Sequence, residues 1–180
     1  MIYVFLADGF ETVEALAPVD VMRRAGLEVA TVSITEEKRV ASKQGIPVLA
    51  DITIDEVNEN DAEMLMLPGG LPGADNLFAN EKLKKMLLSA NEKGKYVAAI
   101  CAAPYILGQL GMLKGKKATC YPGFEDKLIG AEATGERIVL DKNVLTGIGM
   151  GAAVEFGLEA VSILAGEEAK DKISKGIIQK

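Results

Sequence analysis

The sequence predicts an α/β fold with a mostly parallel central sheet. Three observations carry this. Short apolar runs of strand type recur at 2–7, 28–34, 63–67 and 96–100. Segments with helical spacing of apolar residues lie between them, and glycine or proline marks the junctions. Strands that alternate with helices form a sheet covered on both faces, because each helix must bury its apolar stripe.

Residues 2–7 read as a buried strand that ends in an Asp8-Gly9 turn. From Glu11 to about Ala25, apolar residues recur at helical spacing (Val13, Leu16, Val19, Met22), and Gly26 supplies the stop. Residues 28–34 alternate as a strand. The stretch 35–55 mixes charge with short alternating pieces, and Pro47 argues against a central strand, so an edge hairpin or excursion is expected there. Residues 63–67 run into Pro68-Gly69-Gly70-Leu71-Pro72-Gly73, and a helix is expected from about Asn80 to Glu92. Strand 96–100 leads into Cys101 and a helix ending near Gly111. Short strands are expected at 117–120 and 137–146. The closing helix follows Gly147-Ile148-Gly149-Met150-Gly151 and extends to about Ala165, with Val154, Leu158, Val161 and Leu164 on its apolar side. No linker, repeat or low-complexity tract divides the chain. Residues 1–180 are therefore expected to form a single domain with one site at the carboxyl ends of its strands.

Composition narrows the chemistry. The chain has 180 residues, of which 49% are hydrophobic and 26% charged, as expected for a globular domain with a real core. Twenty basic and 26 acidic side chains give a net charge of -6, which disfavours nucleic acid as a partner. No apolar run is long enough to span a membrane, and the N-terminal run lacks the form of a signal peptide. The two cysteines, Cys101 and Cys120, are too few for a disulfide framework, so a reducing cytoplasm is the expected setting. Histidine is absent. That excludes Ser-His-Asp and Cys-His catalytic sets within the chain, as well as histidine metal ligands. Neither a metal nor an organic cofactor is expected.

Cys101 lies where a strand run meets a helix run, with Ala99 and Ala103 two positions to either side. Hydrolases place a nucleophilic serine on such an elbow, between small residues. At a helix start the thiol is expected to ionise well below the free-thiol value of about 8.5. A buried, inert cysteine is the alternative. Glu11 and Glu14 share one face of the first helix, where a carboxyl beside the thiol would act as a hydrogen-bond donor or general base. Equally, they are compatible with surface acids favoured by the helix dipole. Gly69 and Gly70 after a strand suit backbone N–H donation to an oxyanion, but also a plain turn. A phosphate cradle is disfavoured there, because the Walker lysine and the G-x-G-x-x-G spacing are missing. The loop 147–151 reads as a rim of the site. Tyr121 offers a phenolic hydroxyl or is a surface aromatic at a turn, and Cys120 reads as structural.

Together these residues resemble the ThiJ/PfpI superfamily, in its Parkinson-disease-protein (DJ) branch. The resemblance rests on Glu14-Ala-Leu-Ala-Pro-Val-Asp-Val-Met-Arg-Arg-Ala-Gly26, Leu67-Pro-Gly-Gly70, Ala98-Ala-Ile-Cys-Ala-Ala-Pro104 and the stretch 147–156, in the family's order. It implies a flavodoxin-like three-layer sandwich, usually a homodimer, with Cys101 as the reactive cysteine. It further implies Glu14 as the protonated partner of that thiol, with Gly70 and the backbone at Ala102 completing an anion pocket. Ala102 stands where the protease branch carries histidine, so a PfpI-type protease is not expected. Tyr121 stands where the DJ branch often carries histidine. The activity implied is cofactor-independent and acts on a small aldehyde or glycated substrate. It would be a glutathione-independent, glyoxalase III-like conversion of methylglyoxal to lactate, or deglycation. The alternative is a redox-sensing stress protein or chaperone that uses an oxidisable Cys101.

Overall fold

The computed structural model describes residues 1–179. Its elements, in chain order, are β1 (Ile2–Leu6), α1 (Thr12–Arg24), β2 (Val29–Ser33), β3 (Arg39–Ala41), β4 (Pro47–Leu49), β5 (Ile52–Thr53), β6 (Met64–Leu67), α2 (Gly73–Ala79), α3 (Glu81–Glu92), β7 (Tyr96–Ile100), α4 (Pro104–Gln109), β8 (Lys117–Ala118), β9 (Glu132–Ala133), β10 (Ile138–Asp141), β11 (Val144–Gly147), α5 (Ala153–Ala165) and α6 (Glu167–Gly176).

Seven strands form one sheet in the order β10-β11-β7-β6-β1-β2-β5. Every pairing in it is parallel except β10 with β11. The period-2 alternation of the strands divides their side chains between two cores. Ile2, Val4 and Leu6 of β1, with Met64 and Met66 of β6 and Ala98 and Ile100 of β7, pack under α1 and α5. Tyr3, Phe5, Leu65, Leu67, Val97 and Ala99 pack under α2, α3 and α4. Burial on both faces is why these strands are continuous apolar runs. The result is the three-layer, mostly parallel sandwich expected from the sequence.

Topology locates the site. From β1 the chain moves outward to β2 and then returns to place β6 on the other side of β1. The crevice at the carboxyl ends of β1 and β6 is therefore a topological switch point, where such sheets bind ligands. Four loops meet near it, those following β1, β6, β7 and β11.

Helix α1 shows how one such loop is set. Glu11 is its N-cap and accepts the Glu14 backbone N–H at 2.9 Å. At the other end the Gly26 N–H donates to Arg23 O and the Leu27 N–H to Met22 O, the paired closure that a left-handed glycine permits. Its buried residues are Glu14, Ala15, Pro18, Val19, Val21 and Met22. Val13, expected on the apolar side, is 42% exposed, and Glu14 faces inward instead.

Other departures are local. The 35–55 excursion is the antiparallel hairpin β3–β4 outside the main sheet, followed by the short edge strand β5. Helix α2 occupies residues expected as loop, and α6 extends the chain beyond the expected last helix. Helix α2 has seven residues and begins at a glycine, while α6 buries no residue fully. Neither gives the apolar periodicity of a core helix. The two-residue pair β8–β9 is too short to leave a pattern.

Candidate active site

Cys101 occupies the turn between β7 and α4 with φ 65°. A non-glycine residue in this left-handed region is uncommon and costs on the order of 1–3 kcal/mol. The surroundings hold it there. Its N–H donates to Gly147 O at 2.8 Å, and its carbonyl accepts the Tyr121 N–H at 2.8 Å. Strands β7 and β11 thereby fix the elbow from one side and the 119–123 segment from the other. The expected helix start is displaced, because α4 begins three residues later at Pro104 and is only six residues long.

Glu14 is 1% exposed and reaches the elbow from α1. Its Oε2 accepts the Gly69 N–H at 3.0 Å. The Met150 backbone N–H and the Cys101 thiol are the carboxyl's other polar neighbours. Glu11 does not touch the thiol; it caps α1 and adds a second negative charge beside Glu14. The backbone N–H groups of Ala102 and Gly70 face the sulfur. Gly69 and Gly70 thus divide their work. Gly70 points at the thiol, whereas the Gly69 N–H, expected to serve an oxyanion, is spent on Glu14.

Both glycines are needed for their shape. A Cβ on Gly69 would lie 2.6 Å from Glu14 Oε2 and 2.7 Å from Cys101 Cβ. Gly70 has φ 89°, and a Cβ there would lie 2.5 Å from the Glu11 backbone nitrogen. Gly149 closes the site from the β11 loop, and a Cβ on it would stand 4.0 Å from both Cys101 Sγ and Glu14 Oε1.

Titration of the pair is coupled. Burial, reinforced by the Glu11 charge, pushes the Glu14 carboxyl up to about 7. Burial and the neighbouring Glu14 carboxylate push the Cys101 thiol up to about 12, against the pull of the Ala102 and Gly70 N–H groups. The titration of the thiol is therefore tied to Glu14 and not set by a helix terminus alone. A thiol facing an ionised Glu14 is held protonated, because two adjacent buried anions repel. With Glu14 neutral the repulsion vanishes and its O–H becomes a donor to sulfur. Above about pH 7 the pair carries one negative charge. Glu14 is 1% exposed and Cys101 only half-buried, so the charge is less costly to desolvate on sulfur.

A cavity of ≈ 320 Å³ opens over this pair. Glu11, Glu14, Gly70, Cys101, Ala102 and Tyr121 line it, joined by Lys43, Gln44, Leu71, Phe124 and Met150. Tyr121 is 52% exposed at the mouth. Cys120 is buried, and burial pushes its thiol up to about 11, as suits a structural residue. Among the described residues no group of three or more acids or cysteines is placed to hold a metal.

The arrangement can be compared with known proteins. Residues 1–163 match the DJ-1/PfpI family. The chain belongs to that family. To the Parkinson disease protein 7 homolog of Danio rerio it is 33% identical over 181 residues, which cover 98% of this chain and 96% of that protein. To "Deglycase PH1704" of Pyrococcus horikoshii it is 37% identical over 139 residues, 76% of this chain and 82% of that protein. It is 36% identical over 177 residues to Protein DJ-1 homolog B of Arabidopsis thaliana; that match covers 97% of this chain but only 40% of the plant protein's length. The structure of oxidized Toxoplasma gondii DJ-1 superposes with a TM-score of 0.94 at 34% identity, covering 98% and 97% of the two chains.

In this DJ-1/PfpI chain, Lys43 and Gln44 enter the cavity from the turn of the β3–β4 hairpin, far from the other site residues in sequence. The Lys43 N–H donates to Phe10 O at 2.8 Å, and Ser42 bridges Phe10. No local pattern announces that docking. Leu71 lies in a loop and Met150 opens a short 3-10 turn, in segments whose glycines were legible although these side chains were not.

Proposed function

We propose that the chain is a cysteine-dependent, cofactor-independent enzyme acting on reactive carbonyls, with conversion of methylglyoxal to lactate as its test reaction. The observation that carries this is the buried Glu14 carboxyl set beside a half-buried Cys101 that two backbone N–H groups also face. The relative named a deglycase supports the same class of substrate.

The steps follow from these groups. The Cys101 thiolate adds to the aldehyde carbon, and the carbonyl oxygen takes a proton from neutral Glu14 to give a hemithioacetal. The Glu14 carboxylate then removes the hydrogen on that carbon, and the electron pair moves to form an enediolate. The Gly70 and Ala102 N–H groups stabilise the developing oxygen charge. Glu14 then protonates the neighbouring carbon while the hydroxyl proton on the sulfur-bearing carbon passes to the neighbouring oxygen, which yields the lactoyl thioester. Water cleaves it, releasing lactate and restoring the thiol. Methylglyoxal plus water thus becomes lactate with no net oxidation. Because the acid and the sulfur share one proton in the resting state, the proton for the first step is already in place.

Purified protein is expected to form lactate from methylglyoxal without added thiol. Cys101→Ser and Glu14→Ala are each expected to abolish it; full turnover by either variant rules the assignment out. A homodimeric assembly in a reducing cytoplasm belongs to the same proposal, and sedimentation of the purified chain tests the dimer. No helix among the described residues is long and apolar enough to cross a membrane.

A second reading is favoured by the N–H groups around the sulfur, which suit the oxygens of an oxidised cysteine as well as an oxyanion. In redox sensing the thiolate takes one oxygen atom from each of two peroxide molecules, each reduced to water, and becomes a sulfinate. Mild peroxide is then expected to add two oxygens to Cys101 and not to Cys120. Indiscriminate oxidation of both cysteines and the methionines contradicts sensing.

A further inference from the structure

The cavity over Cys101 contains one basic side chain, Lys43. Its backbone is firmly placed. Besides the Lys43 N–H bond to Phe10 O, the Gly9 N–H donates to Ala41 O at 2.8 Å and the Ala41 N–H to Asp8 Oδ1 at 2.8 Å. The hairpin turn is thus tied to the same β1–α1 loop that delivers Glu11 and Glu14.

Lys43 has no ion-pair partner among the described residues, whose pairs involve other cations. The two acids of the cavity are occupied elsewhere. Glu11 accepts the Glu14 N–H, and Glu14 accepts the Gly69 N–H and faces the thiol. An unpaired cation therefore stands at the mouth of a site whose floor offers N–H donors to a carbonyl oxygen. A neutral dicarbonyl has no use for it. Beside the acids of the cavity one cation offsets no more than one ligand charge locally at the mouth, so a monoanionic carboxylate is tolerated better there than a phosphate dianion.

Resting on the carbonyl-chemistry reading above, we infer that Lys43 is a specificity-determining residue that selects aldehydes or ketones bearing one carboxylate. The carbonyl carbon of such a compound meets Cys101 while its carboxylate meets the Lys43 ammonium at the mouth.

Two alkylating agents with the same reacting carbon test this directly. Iodoacetate carries a carboxylate and iodoacetamide does not. The ratio of their rates at Cys101, read by mass spectrometry of the cysteine peptide at one pH, cancels the thiolate fraction and any change in thiol exposure. In low salt the iodoacetate-to-iodoacetamide ratio is expected to fall about threefold in Lys43→Gln and about tenfold in Lys43→Glu, the size of a unit-charge effect at a solvated rim. The difference between wild type and Lys43→Glu is expected to shrink in 0.5 M salt, since about 3 Å of screening length remains near 1 M. Equal ratios in all three proteins, or a difference indifferent to salt, overturn the inference. Turnover of methylglyoxal by the wild type is a separate arm. Its absence removes the carbonyl isomerase reading, while the alkylation ratio still decides whether Lys43 attracts a carboxylate to the sulfur.

Discussion

Glu14 Oε2 accepts the Gly69 N–H at 3.0 Å, and a methyl group placed on Gly69 would stand 2.6 Å from that same oxygen. The hydrogen bond that aims the carboxyl and the space that admits it come from one residue. Gly69→Ala is therefore expected to push Glu14 off Cys101. Stability should fall by about 1–3 kcal/mol, as for an overpacked core site. Lactate formation should fall more than tenfold. Chemical denaturation and a turnover assay check the two effects, and an unperturbed variant contradicts the role given to Gly69.

Glu14→Gln keeps the shape of the acid and removes its proton relay. Turnover is expected to drop by about 10²–10⁴-fold, the usual worth of a positioned acid–base group. Alkylation of Cys101 should persist, because attack by sulfur does not require the relay. Loss of turnover with retained alkylation is the pattern that separates proton transfer from nucleophilicity.

Burial of Glu14 also makes stability depend on pH. Its folded-state value of about 7 lies above the ordinary 4.5. Between these values the folded chain holds a proton that the unfolded chain has lost. The contribution is fully present below pH 4.5 and is lost as pH rises through about 7. Its size is on the order of 3 kcal/mol. Unfolding midpoints measured across this window are expected to decline in the wild type and to flatten in Glu14→Gln. A wild-type midpoint that rises across the same window contradicts a buried neutral acid.

Helix α1 must keep its depth for Glu14 to reach the elbow. Gly157 of α5 faces Pro18 of α1, and a Cβ on it would lie 2.8 Å from Pro18 Cα. Gly157→Val is expected to separate the helices, destabilising the protein by about 1–3 kcal/mol and slowing turnover although the residue lies outside the cavity. Thermal denaturation alongside activity tests this, and a variant with wild-type values for both shows that the approach is not needed.

Much of this was legible in the sequence, for identifiable reasons. Strands buried on both faces leave unbroken apolar runs, so β1, β2, β6 and β7 were read within a residue or two of their ends. Cys101 and Gly70 were legible because small residues and glycines mark an elbow and a close approach. Glu14 was harder. Spacing counted Val13 and Leu16 as the apolar side of α1, yet the buried side carries Glu14 and Pro18. An acid on a core-facing helix position looks like an error until its partner is known. Lys43 was invisible because its place depends on how a separate hairpin docks against Phe10. The late start of α4 at Pro104 was not legible, because the small residues around Cys101 suit a turn and a helix start alike.

The pH dependence of Cys101 alkylation by iodoacetamide tests most directly whether one proton is shared between sulfur and acid. The rate is expected to rise in a step near pH 7, as the pair loses its first proton and leaves the charge on sulfur, with a further rise only towards pH 12. A rate that stays at its baseline until the upper step would mean that Glu14 ionises alone and that sulfur is not the nucleophile near neutrality.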